Sequence, residues 1–458
     1  MTTGRDGSAH VFRVRGRDRS SRPVRVHLAW QGIEGVAAVR AQRASVLRDV
    51  VAIAVFALTY LLISGRQQHL LPLNRPASAL LGAVLMVGGG VLTHQQACAA
   101  VDHDTIVLLL GMMIVTSYLK LGGFFEWTAA MVVRRARHPR TLLAVLIAVS
   151  GVLSALLVND TVCLMLTPLV VGVIVGQRAI PRLPLLPYLL ALAMSANIGS
   201  VATLVGNPQC MIIGSMSHVS FVSYARVMTP VAIVNLLVLY GLLVRVYGAE
   251  LDAVGSLEPV DLPPLDTRLV KLTGCVMLAV LVGFVTGHNL AWTALAGAAV
   301  LMVTARRDTH AVLALVDWNL LLFFSALFVV VAGLNQTGLP DHVHEALAPL
   351  FTGSAATAAF HFTWFSILGS NLFSNVPYVL VAGHWLAGLS NAPLMWRVLA
   401  LSTTFAGNLT ILGSVANVIV MESARGHVEV GFWDYARFGI PVTLVSVAIG
   451  LAMILALR

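Results

Sequence analysis

A carboxylate and a pair of amides stand where a chain this apolar has few polar groups. Asp160 lies in the run Leu153-Ser-Ala-Leu-Leu-Val-Asn159-Asp160-Thr161-Val-Cys163-Leu-Met-Leu-Thr-Pro168. A second run, Leu368-Gly-Ser370-Asn371-Leu-Phe-Ser374-Asn375-Val-Pro377-Tyr-Val-Leu, matches it 216 residues later, and in both a Ser precedes an Asn by five residues. An Asn amide offers two donors and an acceptor, which suits a ligand that has shed its water. A carboxylate among apolar neighbours must take a proton, a cation or a set of donors. Polar residues at bilayer depth mark functional sites by default, and a matched pair in two halves of one chain points to a site between repeats.

Two further matches keep the same order. Val101-Asp102 through Gly122-Gly123-Phe124 aligns without gaps on Val316-Asp317 through Thr337-Gly338-Leu339. Ser195-Ala-Asn197-Ile-Gly-Ser-Val-Ala-Thr203-Leu-Val-Gly206-Asn207-Pro208 aligns on Ser402-Thr-Thr-Phe-Ala-Gly-Asn408-Leu-Thr410-Ile-Leu-Gly413-Ser414. Each half then reads as three spanning helices (48–64, 77–93 and 104–121; 269–287, 290–306 and 316–335). A long segment interrupted at Asn159 or Asn375 follows. Next come a helix interrupted at 203–208 or 410–417 and a closing span, 223–247 or 436–457. Non-helical backbone at membrane depth survives only where protein or a water-filled cavity satisfies it, so the Asn segments read as re-entrant hairpins. A re-entrant hairpin adds no crossing. Each half therefore has about five crossings, and an odd number inverts the second half relative to the first. The fold class is an all-α polytopic membrane protein of two inverted repeats, each with a re-entrant hairpin and an interrupted helix. The domain reading is a basic, disordered tail over 1–46, a first repeat over 47–247, a solvated linker with Pro259, Pro263 and Pro264 over 248–268, and a second repeat over 269–458.

Composition agrees. Of 458 residues 58% are hydrophobic and 11% charged, against roughly 25% charged in soluble domains, and mean hydropathy is +0.86. The net charge of +9 is not a nucleic-acid signature. Ten arginines fall in the first 48 residues, and others sit in short loops. On one side are Arg66, Arg75, Arg134, Arg135, Arg137, Arg140, Arg178, Arg182, Arg268, Lys271, Arg306, Arg307, Arg425 and Arg437. Beyond the tail, the other side has little besides Arg226 and Arg397. The positive-inside rule makes the rich side cytoplasmic. The four cysteines, Cys98, Cys163, Cys210 and Cys275, show neither disulfide nor zinc spacing.

These three motif pairs resemble the ion transporter superfamily, which includes arsenite permeases, NhaD-type sodium/proton antiporters, citrate transporters and divalent anion:sodium symporters. The likeness covers about residues 45–457, and Asn159-Asp160 before Leu-Thr-Pro looks most like the arsenite-permease branch. The resemblance implies hairpin tips meeting near the bilayer centre and elevator-like movement, which in the family often takes place in a homodimer. The symporter branch carries Ser-Asn-Thr at both tips. Here the tips read Val158-Asn159-Asp160 and Ser374-Asn375-Val376, which departs from the sodium-coupled dicarboxylate pattern.

The expected substrate-binding set is Asn159, Thr161, Thr203, Gly206, Asn207, Ser370, Asn371, Ser374, Asn375, Thr410, Gly413 and Asn417. Asp160, with no acidic counterpart at Val376, is the expected coupling residue for a proton or sodium ion. Asp102 and Asp317 read as helix N-caps, and His361 and His384 as weaker proton-shuttle candidates. No phosphate-binding loop is present, so ATP hydrolysis would need a separate ATPase subunit, and no hydrolase motif is found. The expectation is a plasma-membrane secondary transporter of a small inorganic ion or oxyanion, without cofactor, metal or nucleic-acid partner. A proton-coupled arsenite-like permease leads. A sodium/proton antiporter or a sodium-coupled citrate or dicarboxylate carrier is the alternative within transport, and a non-transporting membrane sensor the alternative of another class.

Overall fold

In a computed structural model of the chain the described residues are 31–63, 74–176, 184–253, 257, 260–351, 353–386, 389 and 391–457. Arg66, Arg178 and Arg182 lie outside them. The chain divides into two units, 1–47 and 48–458. In the first, the expectation of a disordered tail to residue 46 is corrected for 31–46, which are helical within Gln31–Ile63 (α1).

From α1 onward every element among the described residues is helical. The first half continues with α2 (Arg75–Gly88), α3 (His94–Ala100), α4 (His103–Leu121), α5 (Phe124–Arg135), α6 (Pro139–Leu156) and α7 (Asn159–Val175). It closes with α8 (Leu186–Ser200), α9 (Pro208–Ser217) and α10 (Phe221–Asp252). The second half has α11 (Thr267–Val285), α12 (Leu290–Thr304), α13 (Thr309–Leu313), α14 (Trp318–Asn335), α15 (Leu339–Leu347) and α16 (Ala355–Phe373). It ends with α17 (Asn375–Leu386), α18 (Ala392–Ala406), α19 (Val415–Ser423) and α20 (Phe432–Leu457). The order is the same in both halves. The caps repeat too: Asp102 accepts from Thr105 N–H at 2.8 Å at the head of α4, and Asp317 accepts from Leu320 N–H at 3.0 Å at the head of α14. The aligned glycines that open α5 and α15, Gly123 and Gly338, both take left-handed φ values, +74° and +67°, which a side chain would resist.

Seven helices among the described residues are long and apolar enough to cross a membrane: 45–63 of α1, α4, α6, α10, α11, α14 and α20. Helices α2 and α12 have 14 and 15 residues, shorter than the expected 77–93 and 290–306. The interruptions fall at 201–207 and 407–414. Asn417 therefore sits in the first turn of α19 rather than in a break.

Packing pairs are exchanged between halves. Helix α4 lies against α12 and α14 against α2; α7 lies against α19 and α17 against α9. Such exchange is what a two-fold relation produces. The ends give directions. Lys120, at the end of α4, and Asp317, at the start of α14, line one cavity, so these matched helices meet end to start. The linker is stitched to the same face, with Asp266 N–H on the Gly122 carbonyl at 3.0 Å and Leu257 N–H on that of Arg137 at 3.1 Å. Arg307 pairs there with Asp266, and Arg140 with Asp252. The expected solvated linker is thus anchored at residues 257 and 266.

Helices α6 and α8 approach closely through small residues, as membrane helices do when no hydrophobic effect drives them together. Ser150 Oγ and Ser195 Oγ lie 2.5 Å apart, and a Cβ on Gly199 would sit 2.2 Å from the Gly151 carbonyl oxygen. Gly199→Ala is therefore expected to cost about 1–3 kcal/mol by overpacking. Thermal unfolding in detergent should show a lowered midpoint; an unchanged midpoint would mean that α6 and α8 are not in contact there.

Candidate functional site

Two hairpins and two helix breaks leave backbone groups that lipid cannot satisfy, and side-chain amides take them up. In the first hairpin the chain turns at Leu157 and Val158, and Asn159 opens α7. Its backbone N–H donates to the Gly206 carbonyl at 2.9 Å, which fastens the tip to the break between α8 and α9. Thr203 Oγ1 adds a 2.6 Å bond to the Ala155 carbonyl. Gly206 has to be small, because a Cβ there would lie 2.2 Å from the Ser200 carbonyl oxygen. The aligned Gly413 lies similarly against Gly407, at 2.8 Å.

The second hairpin turns at Ser374, whose φ of +68° is unusual for a side-chain-bearing residue and costs roughly 1–3 kcal/mol. Its arms fold together: Ser366 Oγ and Tyr378 Oη are 3.1 Å apart, and Gly369 lies under the Tyr378 ring. Ser370 Oγ donates to Asn375 Oδ1 at 2.5 Å, and Asn371 Nδ2 donates to the Ile367 and Ala406 carbonyls at 3.0 and 3.3 Å.

Between the breaks lies a buried amide relay that crosses from one half to the other. Asn159 Nδ2 donates to Asn197 Oδ1 at 3.2 Å. Asn197 Nδ2 donates to Asn408 Oδ1 at 2.9 Å and to Asn417 Oδ1 at 3.0 Å, while Ser414 Oγ donates to Asn197 Oδ1 at 3.0 Å. Asn417 Nδ2 in turn satisfies the Gly407 and Thr410 carbonyls at 2.6 and 3.0 Å. Aligned positions of the two halves make corresponding side-chain bonds. Asn197 bonds Ser414, and their aligned counterparts, Thr404 and Asn207, bond each other at 3.4 Å.

Two polar atoms of this relay have no hydrogen-bond partner among the described residues. Asn159 Oδ1 lacks a donor and Asn408 Nδ2 lacks an acceptor, although both are buried. A buried unmade hydrogen bond costs about 1–3 kcal/mol, so each such atom calls for an explanation. The pair offers a ligand one acceptor and one donor from either side of Asn197, with no charged side chain in the relay.

The relay brings together Asn159 and Asn417 of the expected set. Gly206 and Thr410 join it through carbonyls, and Thr203 and Gly413 through the breaks themselves. Asn207 is committed to structure, accepting from Cys210 N–H at 2.7 Å as the cap of α9 and donating to Ser200 Oγ at 2.7 Å. Asn371 is likewise used on carbonyls, Ser370 and Asn375 pair with each other, and Ser374 is exposed at its tip. Asn197, Asn408 and Ser414 stand in the aligned motifs but outside the expected set. Their signal was an amide or hydroxyl beside a break, without the flanking carboxylate that drew attention to Asn159.

Asp160 and Thr161 belong to a different place. They line a cavity of about 40 Å³ with Thr116, Ser117, Lys120, Asp317 and apolar residues of α4, α7, α14 and α19. The carboxylate beside Asp160 thus comes from Asp317, not from the aligned hairpin, and Arg75 at the head of α2 is the cation it interacts with electrostatically. A hairpin-local reading of the sequence missed both. His384 is spent on the Leu380 carbonyl at 2.9 Å.

Comparison with known proteins agrees with this architecture. Residues 58–406 match the model of the citrate transporter family. The silicon efflux transporter LSI3 of Oryza sativa subsp. japonica is 32% identical, over 90% of this chain and 98% of its own. The transporter named arsB of Dictyostelium discoideum is 26% identical over 84% and 88%. The solved YdaH transporter of Alcanivorax borkumensis shares the fold, with a TM-score of 0.56 at 17% identity over 82% and 88% of the two chains.

Removing the central amide should be felt on both sides of the relay. Asn197→Ala leaves groups of Asn159, Asn408, Asn417 and Ser414 unpaired and is expected to destabilise the folded protein by about 1–3 kcal/mol or more. Thermal unfolding of the purified protein checks this, and a shift no larger than that of a surface Asn would contradict the relay.

Proposed function

We propose, for a chain that belongs to the citrate transporter family, that it is a secondary transporter of a small, uncharged hydroxylated inorganic acid. Silicic and arsenous acids are of this class, and protons provide the coupling. The observation that carries the reading is the unpartnered pair Asn159 Oδ1 and Asn408 Nδ2 in an amide relay free of charged side chains. Each hydroxyl of such an acid donates and accepts at once, the two capacities that these atoms lack a partner for. A polyanion would enter the same relay with no arginine or lysine to neutralise it, at a desolvation cost of several kcal/mol per charge. The names of the silicon efflux transporter and of arsB support the same substrate class.

Asp160 is the coupling group in this reading. It is 8% exposed and receives no hydrogen bond or ion pair among the described residues, so its charge state depends on what the cavity delivers. The two halves act as inverted repeats, supported by the end-to-start meeting of α4 and α14 and by the exchanged packing pairs. Alternating access follows as an elevator-like displacement of the hairpins and interrupted helices together, because the Asn159–Gly206 and Thr203–Ala155 bonds tie tip to break.

Citrate or dicarboxylate transport is the second reading, favoured by the family's description. Purified protein in sealed vesicles, given silicic acid, arsenite, citrate and succinate under imposed proton or sodium gradients, separates the two. The first reading expects uptake of silicic acid or arsenite driven by the proton gradient, with Asp160→Asn losing that drive by about a hundredfold or more, the low end of what a positioned proton-transfer group contributes. Movement of citrate alone, driven by sodium, would establish the second instead.

A further inference from the structure

The cavity at Asp160 is not the substrate relay. It runs between the end of α4, the first turn of α7 and the head of α14. Buried Asp160 forms part of its wall, Thr116, Ser117 and Thr161 add hydroxyls, and exposed Asp317 and half-buried Lys120 also line it. Its volume of about 40 Å³ has room for water, which needs only roughly 10–15 Å³ per molecule. Asp160 has no hydrogen bond or ion pair among the described residues, while Asp317 spends one oxygen, Oδ1, on Leu320 N–H. The cavity lies beside Gly122, Asp266 and Arg307, so it belongs to the face where the linker and the basic loops are stitched together.

We propose that Asp317 is a further coupling residue. It takes protons from the solution on the arginine-rich face and exchanges them with Asp160 through this cavity, while the substrate uses the asparagine relay. The proposal rests on Asp160 as the coupling group. In the loading direction hydronium gives its proton to the Asp317 carboxylate, cavity water carries it on, and Asp160 changes from carboxylate to acid; release is the reverse.

The surrounding charges are few. Beside Lys120 and Asp317, Asp160 faces Arg75 at the head of α2, and Glu422 at the end of α19 acts on Arg75 in turn. Cys163 lies one turn along α7. On the other helices packed against α7, Arg140 of α6 is paired with Asp252, α8 carries no charged residue, and Glu126, Arg134 and Arg135 of α5 do not line the cavity. The second half has no equivalent arrangement, since Val376 stands for Asp160 and Asn335 for Lys120. The path therefore opens on one face of the membrane.

Labelling by a hydrophobic carbodiimide, which reacts with protonated buried carboxyls, reads this path without any substrate. The rate is followed against pH in oriented vesicles, with the pH set separately on each side and Asp160→Asn as the blank. The rate on Asp160 should follow the pH of the arginine-rich side. Asp317→Asn keeps the cap of α14 but removes a negative neighbour, so its midpoint should fall by about one pH unit, the tenfold change in proton affinity that one near charge supplies. Arg75→Gln should raise the midpoint. Midpoints unmoved in both variants, or a rate that follows the other side, would overturn the proposal. Failure of the vesicles to move any oxyacid would instead count against the proposed function and leave the labelling result standing.

Discussion

A helix broken inside a bilayer exposes backbone N–H and C=O groups to a medium that offers them nothing, and this structure is organised around that cost. Four breaks lie close together, two hairpin turns and two interrupted helices. The atoms that settle them are mostly amides: Asn417 on the Gly407 and Thr410 carbonyls, Asn371 on the Ile367 and Ala406 carbonyls, and Asn207 on Cys210 N–H. Since Asn197 reaches residues of the opposite half, the same amides that satisfy the breaks also join the halves. Local backbone satisfaction and long-range assembly are one network.

That arrangement separates two jobs by one residue of sequence. Asn159 and Asp160 are neighbours, and successive helical residues point about 100° apart. The amide turns into the relay while the carboxylate turns toward α4 and Asp317. A carrier that couples a neutral molecule to a proton needs its two ligands near enough to share one moving element and far enough apart not to compete. In the proposed mechanism the first turn of α7 supplies both conditions. Backbone and hydroxyl bonds at Gly206 and Ala155 also hold the hairpin to the α8–α9 break, as the proposed displacement requires.

Much of this was legible in the chain. The three aligned motif pairs anticipated the matched order of helices, and the Gly123/Gly338 and Asp102/Asp317 pairs kept the same backbone roles in both halves. Hydropathy fixed the class but not the lengths: α2 and α12 stop early, and residues 31–46 are helical although their composition suggested a tail. The site was only half visible. Sequence spacing locates residues along one helix, whereas Asn197, Asn408 and Ser414 meet through a crossing of two halves more than 200 positions apart. Asp317 was recognised as a cap, which it is. That it lines a cavity shared with Asp160 depends on α14 meeting α4 end to start, and no local pattern encodes that.

The central claim is that an uncharged oxyacid completes the relay at Asn159 and Asn408. Arsenic scatters anomalously at its absorption edge, so an experimental structure obtained with arsenous acid at neutral pH would locate the ligand directly. The account predicts one arsenic peak between the first hairpin tip and the break after α18, its oxygens within hydrogen-bonding reach of Asn159 Oδ1 and Asn408 Nδ2. A peak in the Asp160–Asp317 cavity, or an empty relay with both amide atoms still unpartnered, would contradict it.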